Sequence, residues 1–155
     1  MSVNVFQLAI CVILCELAGV LGSIPNIKSI PRWFSKIRKP RFQPPNWVFG
    51  PVWTLLYLLM GVSLYLVVGS AGWSSVAVLV FFLQLILNLA WSWIFFGLKK
   101  PGFAFFELAV LWIVIMWNIA VFYPISHGAS YLLAPYILWV SFAAVLNYSI
   151  WRLNR

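Results

Sequence analysis

Five stretches of mostly apolar residues, each long enough to cross a lipid bilayer, leave this chain little choice of architecture. They lie near Val5–Ser23, Trp47–Val68, Val76–Gly97, Phe103–Tyr123 and Leu132–Trp151. About 20 such residues in a helix span the roughly 30 Å hydrocarbon core of a membrane. A long polar loop, Ile24–Asn46, follows the first stretch, and the other connections are short: Gly69–Ser75, Leu98–Gly102 and Pro124–Tyr131. No soluble domain fits between them. Hydrophobic residues make up 65% of the chain and charged residues 8%, whereas soluble domains carry about 25% charged residues. The expectation is an all-α fold, an integral membrane bundle of five transmembrane helices in a single domain over residues 1–155.

Charge placement supports the count of five. Ten basic residues stand against two acidic ones, a net charge of +8. Lys28, Arg32, Lys36, Arg38, Lys39 and Arg41 lie in the first loop, Lys99 and Lys100 in the third, and Arg152 and Arg155 after the last stretch. With five spans these regions share one face, and an even number would divide them. The positive-inside rule assigns that face to the cytoplasm and the N-terminus to the other side. Nucleic acid is excluded as a partner, because no stretch carries a nucleic-acid motif and topology already accounts for the charge; membrane lipid is the expected surrounding. The first stretch lacks a basic n-region, since residues 1–4 carry no basic side chain, and it exceeds a typical signal-peptide core of about 7–15 residues. It reads as a retained helix.

Prolines punctuate the pattern. Pro44-Pro45 and Pro101 stand at helix starts, where a missing N–H does no harm, and Pro124 ends a helix. Pro51 and Pro135 fall early inside apolar stretches, where neighbouring helices must take up the freed carbonyls. Trp33, Trp47, Trp73, Trp151, Tyr123 and Tyr131 fall at helix ends, where amphipathic rings favour the membrane interface. Trp53, Trp91, Trp93, Trp112, Trp117 and Trp139 lie deeper. A buried indole N–H without a partner is costly, so some of these should face other helices or a cavity.

Few polar side chains interrupt the spans. Glu16 is the one carboxylate deep in a span, and such a group faces the bundle interior, as a ligand or proton site or as a neutral acid bonded to another helix. Gln84 and Asn88, four apart, share a helix face. With Asn118 and Asn147 they read as packing amides. Glu107 can complement a helix N-terminus or pair with a loop arginine. Cys11 and Cys15 read as small apolar side chains, since a bridge between them would close almost no loop. His127, the one histidine, reads as a solvated loop residue ahead of an axial haem ligand, and no acidic or thiol neighbours offer a metal site. No Ser-His-Asp set, Cys-His pair with a plausible orienter, phosphate-binding glycine loop or paired carboxylates are present, so no residue is assigned a catalytic role.

Several motifs carry a family resemblance. They are Trp33-Phe34, Lys39-Pro40, Pro44-Pro45 with Trp47-Val48 and Gly50-Pro51-Val52-Trp53, Leu56-Tyr57 with Met60-Gly61, Gln84-Leu85 with Leu87-Asn88 and Ala90-Trp91, Phe95-Phe96-Gly97, and Pro135-Tyr136 through Trp139, Phe142-Ala143, Leu146-Asn147-Tyr148 and Trp151-Arg152. From Trp33 to the end the chain resembles the translocator protein (TspO, peripheral-type benzodiazepine receptor) family.

The resemblance implies a five-helix bundle, commonly a homodimer, with a cavity opening towards the first loop, residues 24–46, as a lid. It implies tetrapyrrole ligands such as protoporphyrin IX, and also sterols. No bound cofactor is implied, although a porphyrin or haem ligand is. Trp53, Trp139, Ala143 and Leu146 would line the pocket, beside Gly50 and with Asn88 supporting its wall. Tryptophan faces suit a flat apolar plate, and the basic loop suits carboxylates at its edge. Leu146, Tyr148 and Arg152 fit a short cholesterol-contact pattern that matches many helix ends.

Two departures bear on function. Phe34 stands where porphyrin-degrading relatives have a loop tyrosine, which removes the hydroxyl on which that photochemistry depends. Phe103 stands where several relatives have tryptophan, keeping that pocket wall aromatic. The expected function is therefore a membrane receptor or carrier for tetrapyrroles. Alternatives are a light-dependent porphyrin-degrading enzyme and a lipid or sterol transporter.

Overall fold

The structure, a computed structural model, describes residues 3–155. They form helices α1 (Val5–Ser29), α2 (Asn46–Ala71), α3 (Val76–Ser92), α4 (Pro101–Phe122), α5 (His127–Leu132) and α6 (Ala134–Leu153). Single π-helical turns at Ile30–Phe34 and Trp93–Gly97 extend α1 and α3. Counting those turns, and α5 with α6 as one, five helical segments are long and apolar enough to cross a membrane: Val5–Phe34, Asn46–Ala71, Val76–Gly97, Pro101–Phe122 and His127–Leu153. The fold is the all-α bundle the composition demands.

Two local chemistries start the helices. Asn4, Ser75 and Ser126 cap α1, α3 and α5 by accepting from the backbone N–H three residues on, which satisfies one of the orphan donors of a first turn. Proline opens the others: Pro45 precedes α2, and Pro101 and Pro135 occupy the first turns of α4 and α6. Pro51 continues within α2. A β-carbon on the residue before a proline opposes helical backbone, and Gly50 has none.

The first helix is longer than its apolar run suggests. Residues 24–34, expected in the first loop, are helical through Pro25. Proline in a helix interior removes one hydrogen bond and crowds the carbonyl four residues back. That carbonyl, on Leu21, accepts instead from Trp93 Nε1 at 3.3 Å, and the neighbouring Gly22 carbonyl accepts from Ser92 Oγ at 2.6 Å. Donors on α3 thus carry α1 past its proline, an arrangement that no local pattern announces. His127 likewise begins α5 and lies against the Tyr123 ring, with centroids 4.4 Å apart.

Helix α1 packs on α2 and α3, α3 on α4, and α4 on α6, while α5 rests on α2. The α1–α2 contact is close enough to need a glycine. A β-carbon on Gly61 would lie 2.6 Å from Val12 Cα. Of the two readings for Glu107, pairing with a loop arginine does not occur, since neither carboxyl oxygen has a partner within hydrogen-bonding distance, and Asn118 is buried with both amide atoms unpaired.

Gly61→Ala should therefore push α1 and α2 apart and lower stability by about 1–3 kcal/mol, the usual cost of overpacking. Gly69, in the same helix, has nothing within 4 Å of its would-be β-carbon. Gly69→Ala should be neutral or gain up to about 1 kcal/mol. Thermal unfolding in detergent compares the two.

Candidate functional site

Helix α6 makes little close backbone contact with α1 or α2. The space left among α1, α2, α3 and α6 is a cavity of about 500 Å³, within the usual range for small-molecule sites. Aromatic and aliphatic side chains form one side. Trp53 and Phe49 come from α2, and Trp139, Ala143 and Leu146 from α6. Phe49 meets Trp139 edge-on at 5.8 Å between centroids, and Trp53 lies 6.4 Å from Trp91. At the loop end Phe34, 4% exposed, packs on Phe95 and Phe96 at 6.1 and 5.4 Å and lines the cavity with them. The π-helical turns that carry these rings place them against each other.

The opposite side is polar. On α1, Glu16, Gly19, Ser23 and Asn26 line the cavity. Their spacing of three, four and three residues puts them on one helical stripe. On α2 and α3 the cavity meets Thr54, Tyr57, Asn88 and Ser92.

Behind that wall runs a buried hydrogen-bond chain. The Tyr57 hydroxyl donates to Asn88 Oδ1, Asn88 Nδ2 donates to the Tyr136 hydroxyl at 3.0 Å, and that hydroxyl donates to Gln84 Oε1 at 2.8 Å. Three helices are joined by it. Trp91 Nε1 donates to Asn147 Oδ1 at 3.0 Å, and Asn147 Nδ2 donates to the Pro101 carbonyl at 2.7 Å, joining α3, α6 and the start of α4. The two tyrosines were not singled out from the sequence, although their places in the Leu56-Tyr57 and Pro135-Tyr136 motifs were visible.

A segment without helix, residues 35–45, joins α1 and its π-helical turn to α2. The side chain of Asn154 holds it: the Arg38 N–H donates to Asn154 Oδ1 at 3.0 Å, and Asn154 Nδ2 donates to the Arg38 carbonyl at 2.9 Å. Lys39 lies over the Phe34 ring, 4.8 Å from its centroid. None of the six basic residues of the first loop lines the cavity.

The model of the TspO/MBR family matches residues 11–152. The chain belongs to the TspO/MBR family. It is 40% identical to the tryptophan-rich protein TspO of Chlorobaculum tepidum, over 99% of both chains. It is also 40% identical to the human translocator protein, over 80% of this chain and 76% of that one. The tryptophan-rich sensory protein of Cereibacter sphaeroides is 34% identical over 79% and 77% of the two chains. TspO/MBR membership and five helices of spanning length make this an integral multi-pass membrane protein.

Of the positions that the TspO/MBR resemblance singled out, Trp53, Trp139, Gly50, Ala143, Leu146, Asn88 and Phe34 all line the cavity. Phe103 does not. It is 69% exposed and faces away from the bundle, because Ala104, Leu108 and Leu111 hold the buried side of α4 and residue 103 is a quarter-turn from it. The sterol pattern divides in the same way. Leu146 lines the cavity, while Tyr148 and Arg152 lie on exposed faces of α6, and Tyr148 packs 5.3 Å from Phe105. Residues two and six positions along a helix do not share a face with the first. Glu16, left open between ligand site and packing group, lies on the cavity wall.

Asn88→Leu should strand the Tyr57 hydroxyl and lower stability by about 1–3 kcal/mol. Adding Tyr57→Phe should recover part of the loss in a detergent melt. Asn154→Ala should free the segment around Arg38, seen as amide exchange at Arg38 faster by on the order of tenfold.

Proposed function

We propose that this chain is a membrane receptor or carrier that takes flat, apolar tetrapyrroles such as protoporphyrin IX into the cavity between α1, α2, α3 and α6. One observation carries the reading: a cavity of about 500 Å³ between the helices is lined by three tryptophans, Trp53, Trp91 and Trp139, from three of them. Indole faces suit an extended π-plate and bury large area against it. A relative's printed name, translocator protein, and another's, tryptophan-rich sensory protein, fit a role in moving or sensing a ligand. The basic face is assigned to the cytoplasm, with the N-terminus opposite, since the first loop, the third loop and the C-terminal tail hold every Lys and Arg. A homodimer in lipid is the proposed assembly.

Light-driven porphyrin breakdown is the second reading, and Phe34 weighs against it. The ring at the cavity's loop end carries no hydroxyl. Sterol carriage is weakened by the separation of Leu146 from Tyr148 and Arg152.

Protoporphyrin IX should quench tryptophan fluorescence saturably in the purified protein. Trp53→Ala and Trp139→Ala should each weaken its binding by roughly tenfold or more, as expected when a stacking wall worth about 1–3 kcal/mol is removed. Unchanged affinity in both variants would sink the proposed site. Under illumination the Soret band of the complex should persist, and steady bleaching would instead support the enzyme.

A further inference from the structure

The cavity's chemistry at its deep end differs from that at its mouth. Glu16 is the only acidic or basic side chain on the cavity wall. Among the described residues its carboxyl makes no hydrogen bond, whereas Asn88, Ser92 and Asn26 nearby are all bonded to other side chains. The lining contains no Lys, Arg or His. A β-carbon on Gly19 would lie 2.5 Å from the Tyr57 ring, so α1 and α2 close tightly one turn from Glu16, on the side towards the mouth. Glu16 lies fourteen residues from Ile30 at the lid, roughly 20 Å along the helix.

We infer that Glu16 is a ligand subsite for a hydrogen-bond-donating group, taking a protonated amine most strongly, on the apolar molecule held by Trp53 and Trp139. This rests on the cavity reading above and adds polarity to it. A carboxyl inside an apolar bundle is costly without a partner. A cationic N–H donor entering from the ligand provides both hydrogen bond and opposite charge, and such charge-assisted bonds are about twice as strong as neutral ones. A carboxylate brought there would meet a like charge and no compensating base. An acidic ligand must therefore enter with its carboxylates at the mouth, beneath the basic loop, and its donor-bearing or apolar end towards Glu16.

Three probes of one flat scaffold test this: 9-(aminomethyl)anthracene, 9-methylanthracene and anthracene-9-carboxylate. Each is titrated in detergent against the wild-type chain, Glu16→Gln, Glu16→Leu and Trp53→Ala, with tryptophan quenching as readout. Comparing each probe between proteins cancels its partition into micelles. The amine should bind Glu16→Gln and Glu16→Leu about tenfold or more weaker than wild type. The methyl compound should not distinguish them, and the carboxylate should bind the variants equally or better. An amine affinity unchanged in both Glu16 variants overturns the subsite. Weakening of all three probes alike by Glu16→Gln also overturns it, since that marks a structural role. Trp53→Ala should weaken all three probes; no effect there strikes the cavity reading, independently of the Glu16 result.

Discussion

Inside a bundle of apolar helices a polar side chain is costly without a partner, and most of the buried ones here find it on another element of the chain. That constraint organises this protein. The Tyr57–Asn88–Tyr136–Gln84 chain ties α2, α3 and α6, and Asn147 ties α6 to α3 and to the start of α4. Ser92 and Trp93 answer the carbonyls that Pro25 disturbs on α1. Helix α3, with its π-helical turn, takes part in all of these except the bond from Asn147 to the start of α4. Polar bonds between side chains hold helices at side-chain length, whereas glycine contacts such as Gly61 against Val12 bring backbones together. Where both act, as around α1 and α2, the bundle is tight. Where α6 is held through Tyr136 and Asn147, it stands off, and the space it leaves is the cavity.

The cavity lining is shared in the same way. Helices α1, α2 and α3 contribute most of its polar groups, and α2, α3, α6 and the two π-helical turns its aromatic ones. Tyr57 and Asn88 belong to the wall and to the bundle at once, so the lining is held by bonds that also join the helices. Such a wall is preorganised, and a ligand entering it need not pay for ordering side chains. Charge is kept almost wholly outside. The basic residues gather in positions 28–41, in the connection before α4 and at the C-terminal end that Asn154 joins to Arg38, with Lys39 over Phe34 and Arg155 over Trp151. The interior retains Glu16 on the cavity wall and Glu107 among the helices.

Most of the architecture was legible along the chain, and so was most of the aromatic wall. Spans follow from apolar length, and their number from the alternation of charged and uncharged loops; neither depends on packing. Trp53, Trp139, Ala143 and Leu146 were reachable because the motifs that hold them are continuous in sequence. Phe103 was misplaced because a residue at a helix start is assigned to a wall only through the helix's rotation. Helix α1 was cut short at Ser23 because polar residues and a proline locally resemble a loop. The stripe of Glu16, Gly19, Ser23 and Asn26 was visible in its spacing, but its use was hidden by that early ending.

By itself the sequence determined that the chain is a five-span membrane bundle with one basic face, because bilayer thickness and charge translocation act on stretches of chain rather than on contacts. Only the tertiary structure decided which helix faces meet. It carried α1 through Pro25 with donors from α3, turned Phe103, Tyr148 and Arg152 outward, and set Glu16 on the wall of the cavity that its tryptophans also line. Those outcomes depend on the rotation of each helix about its axis. That rotation is fixed by partners tens of residues away, through hydrogen bonds and glycine contacts that no single segment contains.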